Sequence, residues 1–458
     1  MLSERRPHAS LYENIGRTHG FEPLRVDGQL PEGLAGTMYR CGPGQIERFG
    51  HRLSHPFEAD GVVMAVRLDG RGGAMGAARV IEGAGYLEEQ AAGRYLYGTG
   101  APWPRRVINS LRGRVKNTGN TRAWSWRGRV FAVMEACKPI ELDPETLEVL
   151  GERDLDGAVV RSFSAHPHRV ARLATSFNFG LRYGKQTMLD LYALPDEGPT
   201  QLLGSYECSW AGLVHDFVVT ERHAIFVSCP AKLKLARALF QLGSLSSWFE
   251  WAPALGCEII VVPLANPGAP KRFNVDAFWV WHFVNAFERG DELVIDYCRY
   301  PDLSSLTSLG DGSKIDPPKL HRGCLNLRTG AWRSEQRWHS SCEFPRVDPR
   351  VEGQAHPHAW FYARDEADGF SLARVDAESG DADVWALGPE IKPSEPVPVR
   401  HSEDPSVEPW ILSLCHDEAS DLSFVAVLDG GALADGPVAK LWFDQSLPDT
   451  FHGDWVAG

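Results

Sequence analysis

A β-hairpin repeats along the whole chain, and this repeat limits the fold more than any other feature. An apolar strand, a turn rich in Asp, Asn, Gly or Pro, and a second strand recur within residues 62–80, 139–150, 189–203, 259–273, 324–332, 370–385 and 425–442. Gly, Asn and Asp tolerate the positive φ angles of tight turns and Pro presets the bend, so these turns favour antiparallel hairpins. Further strand pairs lie between the repeats, and two hairpins make a four-stranded sheet. The pattern predicts an all-β chain in which seven such sheets close into a seven-bladed β-propeller.

The repeats are unevenly spaced, and most intervals exceed the roughly 40–50 residues of the common blade families. The excess predicts long insertions, which usually gather over one face of the propeller. An irregular pair of β-sandwiches is the alternative that the pattern leaves open. No low-complexity linker divides the 458 residues, so we predict one domain over residues 1–458, with residues 1–35 as an N-terminal extension.

Charge and cysteine content narrow the functional classes. The formal net charge of -13 argues against a nucleic-acid partner, which needs a basic face to displace counterions. No run approaches the roughly 20 apolar residues of a membrane-spanning helix, and residues 1–8 lack the apolar core of a secretion signal. Nine scattered cysteines without a Cys-x-x-Cys pair predict reduced, mostly buried thiols in a cytoplasmic protein.

Four of the 16 histidines lie in apolar or aromatic sequence, where an unpaired imidazole would be costly. In a seven-bladed ring their wide separation places them on different blades that face a common axis. Neutral imidazoles that converge there would bind a transition metal, although a single buried histidine is more often a hydrogen-bonded structural residue than a ligand. These four are His166, His215, His282 and His452. Four histidines in other clusters are predicted to lie on the surface or in loops: His55, His168, His356 and His358.

These four histidine contexts and five further motifs resemble the carotenoid cleavage oxygenase family. The resemblance extends from about residue 36 to residue 456 and keeps the order of the family's motifs. The further motifs are Tyr39-Arg-Cys-Gly-Pro-Gly, His55-Pro-Phe-Glu-Ala-Asp-Gly, Asn117-Thr-Gly-Asn-Thr, Cys342-Glu-Phe-Pro-Arg-Val-Asp-Pro and Ser394-Glu-Pro-Val.

The resemblance implies a site as well as a fold. Family members are seven-bladed propellers with a helical and loop cap over one face. They hold one non-haem Fe(II) on the axis through four histidines and use O₂ as co-substrate. That role falls here on His166, His215, His282 and His452. Three glutamates would accept the ring N–H groups of these ligands, which fixes their tautomers, and a threonine would lie beside an open iron position. By this resemblance the residues are Glu135, Glu343, Glu395 and Thr121. Without it, each glutamate would be read as an ordinary surface ion-pair partner.

The resemblance implies a dioxygenase that cleaves a conjugated C=C bond of a carotenoid or apocarotenoid to give two carbonyl products. Cleavage of a stilbene or phenylpropenoid is the alternative within the family. In the stilbene-cleaving branch a lysine precedes the first glutamate, whereas this chain has Met134 there, which favours an apolar polyene. A propeller that binds an isoprenoid or a protein partner without turnover is the alternative from another class.

One segment, residues 230–251, departs from the β pattern. Residues 231–242 lack Gly and Pro and favour a helix, with three basic residues among leucines and a phenylalanine. Basic residues beside an apolar surface suit shallow docking on an anionic membrane, so we predict peripheral membrane contact here. A cap helix packed on the propeller rim is the alternative that the sequence leaves open.

Overall fold

Antiparallel strands dominate the computed structural model, which describes residues 7–184, 186–365, 369–402, 404 and 406–458. The first strands along the chain are β1 (His19–Pro23), β2 (Arg25–Gly28), β3 (Ala35–Gln45), β4 (Glu47–Arg48), β5 (His51–Arg52), β6 (Asp60–Asp69), β7 (Ala74–Val80), β8 (Arg122–Trp126), β9 (Arg129–Val133), β10 (Ile140–Leu142), β11 (Val149–Glu152), β12 (His168–Val170), β13 (Thr175–Arg182), β14 (Thr187–Pro195) and β15 (Gln201–Cys208). The middle strands are β16 (Phe217–Val219), β17 (His223–Ser228), β18 (Ala231–Leu233), β19 (Phe249–Trp251), β20 (Cys257–Pro263), β21 (Lys271–Val275), β22 (Trp279–Arg289), β23 (Glu292–Tyr300), β24 (Lys319–Asn326) and β25 (Trp332–Arg346). The last strands are β26 (His358–Asp365), β27 (Gly369–Asp376), β28 (Ala382–Gly388), β29 (Ile391–Pro393), β30 (Val397–Val399), β31 (Trp410–Asp417), β32 (Leu422–Asp429), β33 (Ala439–Trp442) and β34 (His452–Ala457).

The order of these strands resolves the seven predicted blades over the described residues. A nine-stranded sheet holds two blades, β1-β7-β6-β3-β34 and β8-β9-β10-β11, which a single parallel bridge between β34 and β8 joins. Two separate sheets, β12-β13-β14-β15 and β16-β17-β20-β21, form the third and fourth blades. A seven-stranded sheet from β22 to β28 holds the fifth and sixth, because the long strand β25 pairs with β24 and then with β26. The seventh blade combines β29 and β30 with β31, β32, β33 and β2.

The two ends of the chain close the ring. The last strand, β34, pairs with β3 over six residue pairs from Gly36–Ala457 to Cys41–His452. The early strand β2 pairs with β33. Residues 19–28, predicted to be part of an N-terminal extension, therefore supply strands to the first and seventh blades. The assignment of the whole chain to one domain stays a prediction.

The core lies between neighbouring blades. Met64 of the first blade packs in one cluster with Val425 of the seventh, and Trp124 of the second packs in another with Tyr192 of the third. Strands that are buried on both faces have continuous apolar sequences rather than an alternation of apolar and polar residues. The cysteines follow the same rule, since all nine are free thiols and eight are buried.

Helices lie in the connections and form the cap. The α-helices are α1 (Ala84–Ala92), α2 (Trp103–Leu111), α3 (Leu235–Leu239) and α4 (Ser304–Asp311). Helices α2 and α3 contact each other. Helix α4 is fastened to β22, where the indole N–H of Trp281 donates to Ser305 Oγ at 2.7 Å. The Trp103 indole of α2 donates to the carbonyl of Phe240 at 3.0 Å, so helical insertions from distant positions meet.

The helix predicted over residues 231–242 is wrong in its extent. Residues 231–233 form β18, which pairs with β19, and only Leu235–Leu239 are helical. Short isolated helices are marginal, whereas pairing with β19 satisfies the backbone groups of residues 231–233. Helix α3 and a 3₁₀ turn, Ser246–Trp248, lie between the two strands. Among the described helices, none combines the length and apolar character needed to cross a membrane.

Candidate metal centre

Four histidines come together where separate blades begin. His166 and His215 each lie two residues before the first strand of a blade, β12 and β16. His282 lies within β22, the first strand of the fifth blade, and His452 is the first residue of β34. Each of these strands has its own hydrogen-bonded sheet, so the ring and not local sequence brings the four side chains together. All four are buried.

The imidazole rings converge through their Nε2 atoms. His166 Nε2 lies 3.0 Å from His215 Nε2, and His215 Nε2 lies 3.4 Å from His282 Nε2. The ring centroid of His452 lies 4.8 Å from that of His166 and 4.9 Å from that of His282. One nitrogen of each residue lies within 4.8 Å of the corresponding nitrogens of the other three.

A carboxylate oxygen lies beside the opposite nitrogen, Nδ1, of three of these rings. A carboxylate accepts a hydrogen bond, so each Nδ1 carries the proton and each Nε2 presents a lone pair to the centre. The pairs are His215 Nδ1 with Glu135 Oε1, His282 Nδ1 with Glu343 Oε2 at 2.5 Å, and His452 Nδ1 with Glu395 Oε1 at 3.0 Å.

The donor set fits a transition metal. Nitrogen lone pairs 3.0 and 3.4 Å apart with no hydrogen between them repel unless a cation lies among them. With metal–nitrogen bonds of about 2.1 Å, neighbouring ligand nitrogens lie about 3.0–3.4 Å apart for bond angles of about 90–110°. Imidazole ligands suit iron, zinc, copper and nickel rather than magnesium or calcium. The four buried imidazoles thus form a cradle for one such ion.

Burial keeps two of the rings neutral. It holds the pKa of His166 well below 6.5, and the neighbouring histidines lower it further. Burial also lowers the pKa of His452 to about 3, despite the opposing Glu395 carboxylate. A neutral imidazole at physiological pH is the form that binds a metal, so neither ligand needs to lose a proton.

Glu395 lies deepest among the three glutamates. Its Oε1 accepts from His452 Nδ1 and from Arg346 Nη1 at 3.2 Å. Its Oε2 accepts from Arg40 Nη1 at 3.2 Å and from the Gly453 N–H at 3.0 Å. Burial alone would raise the pKa of this carboxyl, but the two guanidinium groups and His452 hold it well below 4.5. Glu395 is therefore an anion that links a histidine of the cradle to two buried arginines.

The structure places a carboxylate near His166 that is not among the predicted site residues. Asp216 Oδ1 lies 3.9 Å from His166 Nδ1 and 3.0 Å from His168 Nε2. His168 Nδ1 lies 2.5 Å from Glu352 Oε1 on its other side. Burial lowers the pKa of His168, but the two carboxylates outweigh it and raise the pKa to about 9. The prediction of a surface or loop position for His168 is wrong, because this residue begins β12 and its largely buried ring forms a charged bridge between two acids.

His55 and His356 lie in loops between strands, one of the two predicted positions, but both are buried. His55 caps a short 3₁₀ turn, where its Nδ1 accepts from the Phe57 N–H at 3.2 Å. His356 Nδ1 accepts from the Asn285 side-chain amide at 3.1 Å.

Apolar and aromatic groups surround the histidines. The Phe344 ring lies 5.2 Å from those of His282 and His452 between centroids, and the Trp281 ring lies 4.8 Å from that of His215. Met134 Sδ accepts from the Thr118 hydroxyl at 3.3 Å. Thr121 adjoins the site through its backbone, because its carbonyl accepts the His452 N–H at 3.1 Å.

Comparison with known proteins finds the same architecture. The model of the retinal pigment epithelial membrane protein family matches residues 15–457. The apocarotenoid-15,15'-oxygenase of Synechocystis sp. is 28% identical over 461 residues, which cover 94% of this chain and 92% of that protein. The isoeugenol monooxygenase of Pseudomonas nitroreducens is 28% identical over 457 residues, which cover 94% of each chain. The solved structure of the cobalt-substituted Synechocystis apocarotenoid oxygenase superposes with a TM-score of 0.89 at 26% identity and covers 98% of both chains.

Proposed function

The chain belongs to the retinal pigment epithelial membrane protein family, whose similar members are oxygenases, and from this premise we propose that it is a non-haem Fe(II)-dependent dioxygenase. Its proposed reaction cleaves a conjugated C=C bond of a carotenoid or apocarotenoid with O₂ to give two carbonyl products. The observation that carries the proposal is the convergence of four buried Nε2 atoms with a carboxylate on three of the opposite nitrogens.

We propose one iron per chain, held by His166, His215, His282 and His452. Bound iron would supply the O₂ chemistry that no protein side chain provides. The ligand set is neutral, and the anionic charge lies behind it on Glu135, Glu343 and Glu395. These carboxylates would offset the charge of the ion while they leave coordination positions open.

The three glutamates determine which ring nitrogen of each ligand histidine carries the hydrogen. Each holds a hydrogen on Nδ1, so the Nε2 lone pair stays directed at the centre and the ring cannot rotate away. Phe344 packs against two of the ligand rings and helps to exclude water from them. We assign Thr121 to the catalytic set beside an open position, which its backbone contact with His452 supports.

An apolar polyene is the proposed substrate because the wall of the site offers little to bind a phenol. Met134 directly precedes Glu135, and its sulfur already accepts two hydrogen bonds from Thr118, one from the hydroxyl and one from the backbone N–H. Phe344 and Trp281 extend this apolar character around the ligand rings. An extended polyene would be oriented by such contacts so that one double bond meets the iron.

A phenylpropenoid substrate is the second candidate. It is favoured by the similarity to the isoeugenol monooxygenase of Pseudomonas nitroreducens, which extends over 94% of each chain. The two candidates differ in whether substrate recognition needs a polar partner for a phenolic hydroxyl. A substrate panel separates them directly.

We further propose that the cap docks on membranes to take up its substrate. Helix α2 and the segment after α3 expose Trp103, Ile108, Leu111, Phe240 and Leu242. The two elements are joined by the Trp103 hydrogen bond, so they form one apolar surface, here called the α2–α3 patch. The sequence prediction for residues 230–251 included only half of it. We propose a cytoplasmic protein with peripheral membrane contact, since a carotenoid is too insoluble to arrive through water.

The test loads the protein with Fe(II) without oxygen and then adds carotenoids, apocarotenals, stilbenes and isoeugenol under O₂. We expect two carbonyl products by mass from a polyene and none from the His282→Ala variant. His358→Ala is the matched control, because His358 Nδ1 lies 2.5 Å from Glu408 Oε1, as His282 Nδ1 does from Glu343, but outside the cradle. Cleavage of isoeugenol alone would favour the second candidate. No O₂ consumption with any substrate would favour a binding protein.

A further inference from the structure

Two buried histidines face each other where the N-terminal segment crosses the seventh blade. His8 directly precedes the 3₁₀ turn Ala9–Tyr12, and His416 lies in β31. The two residues are 3% and 1% exposed. Their Nδ1 atoms lie 2.8 Å apart.

The other nitrogen of each ring already carries a hydrogen. His8 Nε2 lies 2.9 Å from the carbonyl oxygen of Pro389, which can only accept. His416 Nε2 lies 3.2 Å from Asp421 Oδ1 and 3.1 Å from Ser10 Oγ. The Ser10 hydroxyl donates to Asp421 at 2.6 Å, so both oxygens near His416 Nε2 accept from it. In neutral rings, both Nδ1 lone pairs therefore point at each other.

A carboxylate completes the cluster. Glu418 Oε2 lies 3.6 Å from His8 Nδ1 and accepts the backbone N–H of His8 at 2.5 Å. The three ligand atoms, one from each residue, all lie within 4.8 Å of one another. His8 reaches this position with a φ of 56°, in the left-handed region that residues other than glycine rarely adopt.

We propose that His8, His416 and Glu418 bind a second divalent ion of the zinc class. Two imidazoles and one carboxylate are a common zinc ligand set, which leaves a fourth position for water. The Glu418 side chain is 35% exposed, so solvent reaches the cluster at this ligand. The hydrogen-bond acceptors on the far nitrogens, Asp421 and the Pro389 carbonyl, fix the ligand tautomers as such groups do at zinc sites.

Zinc requires a small movement of the two rings. With bonds of about 2.0–2.1 Å in a tetrahedral site, two ligand nitrogens lie about 3.3 Å apart, compared with the 2.8 Å between His8 and His416. Bound metal would fasten the N-terminal segment to β31, at a site that shares no residue with the four-histidine cradle.

The experiment starts with iron-loaded protein, so that the cradle is filled, and equilibrates it with Zn²⁺ before gel filtration and metal analysis. We expect one zinc in addition to the iron. His8→Ala and Glu418→Gln should each lose the zinc and keep the iron, and circular dichroism checks that both variants fold. His401→Ala removes an exposed histidine near the same strand and should keep both metals.

Asp421→Asn tests the supporting hydrogen bond and should weaken zinc binding by about 10–100-fold while all three ligands remain. Wild-type protein that retains iron but no zinc would overturn the proposal and leave a proton shared between the two rings as the explanation of their contact. Equal zinc content in wild type, His8→Ala and Glu418→Gln would also overturn it. Because iron is measured in the same sample, failure of this site is distinguishable from failure of the cradle.

Discussion

Replacing Glu395 with glutamine should weaken the fold as well as metal binding. Four hydrogen-bond donors point at this carboxylate, two at each oxygen. A glutamine must place its NH₂ group at one of the two positions, where it meets two donors instead of offering them an acceptor. If the NH₂ group faces Arg40 and the Gly453 N–H, it breaks two bonds at once. If it faces His452 and Arg346, it breaks the other two.

The magnitude follows from the burial of these groups. Arg40 is fully buried and Glu395 is 2% exposed, so no solvent replaces the lost partners. A hydrogen bond to a charged group contributes about 1.5–3 kcal/mol, and loss of one member of a buried ion pair costs about 3–5 kcal/mol. We expect the free energy of unfolding to fall by about 3–5 kcal/mol.

Glu343→Gln is the matched variant because its carboxylate is bonded differently. Glu343 Oε2 accepts both from His282 Nδ1 and from the Phe344 N–H. Within the described residues, no cation and no backbone N–H bonds its Oε1. Burial and then this carboxylate raise the pKa of the nearby Tyr300 hydroxyl, which can accept from an amide. A glutamine can therefore turn its amide oxygen toward His282 and the Phe344 N–H and its NH₂ group toward Tyr300. We expect the free energy of unfolding to change by less than about 1 kcal/mol.

The assay is urea unfolding of the metal-free proteins, followed by circular dichroism, with metal affinity measured separately. Both variants should bind iron about 10–100-fold more weakly, since both lose the anion behind a ligand histidine. Only Glu395→Gln should unfold at a clearly lower urea concentration. Equal unfolding midpoints for the two variants would refute the reasoning from donor arrangement.

Three further predictions concern the cradle, the cap and an acidic surface group. His282→Ala should lose the bound metal and His358→Ala should keep it, as measured by metal analysis after gel filtration. Phe240→Ser should raise the KM for vesicle-borne carotenoid and leave the KM for a short, soluble apocarotenal unchanged; an equal loss on both would place Phe240 in the core of the cap. The hydrogen bond with Arg129, more than any other interaction, lowers the pKa of Glu141 from 4.5 to about 2. The charged form therefore stabilises the fold above about pH 4.5, and this stabilisation is lost as the pH falls towards 2. The stability difference between wild type and Glu141→Gln should shrink over that range; a constant difference would contradict it.

Much of the fold could be predicted because each blade repeats a local pattern. Turns such as Leu-Asp-Gly-Gly at residues 428–431 mark their hairpins independently of the rest of the chain. Closure of the ring could not be predicted in this way. It depends on pairing between β3 and β34 and between β2 and β33, whose members lie at opposite ends of the sequence.

The residues of the site also differ in whether the sequence indicates them. Each of the four histidines has a distinctive apolar context, and the family resemblance indicates the three glutamates as well. The residues that bind the glutamates are harder to predict from the sequence. Arg40 and Arg346 reach Glu395 from distant strands, and arginine is common on protein surfaces. Asp216 directly follows His215 in the sequence, but its carboxylate lies near His166. Only closure of the propeller creates this contact.

The helix prediction for residues 231–242 shows the limit of local propensity. The absence of Gly and Pro favours a helix, but the strand at residues 249–251 offers backbone partners to residues 231–233. Pairing between segments about 20 residues apart thus overrides the local preference.

X-ray absorption of the iron-loaded protein tests the central claim most directly, because it reports the ligands of the metal without reference to any substrate. The account predicts a nitrogen and oxygen shell whose outer scattering requires four imidazoles. The His358→Ala variant should give the same spectrum, whereas His282→Ala should retain no iron to measure. A shell with two or fewer imidazoles, or one with sulfur, would contradict the claim that His166, His215, His282 and His452 bind the iron together.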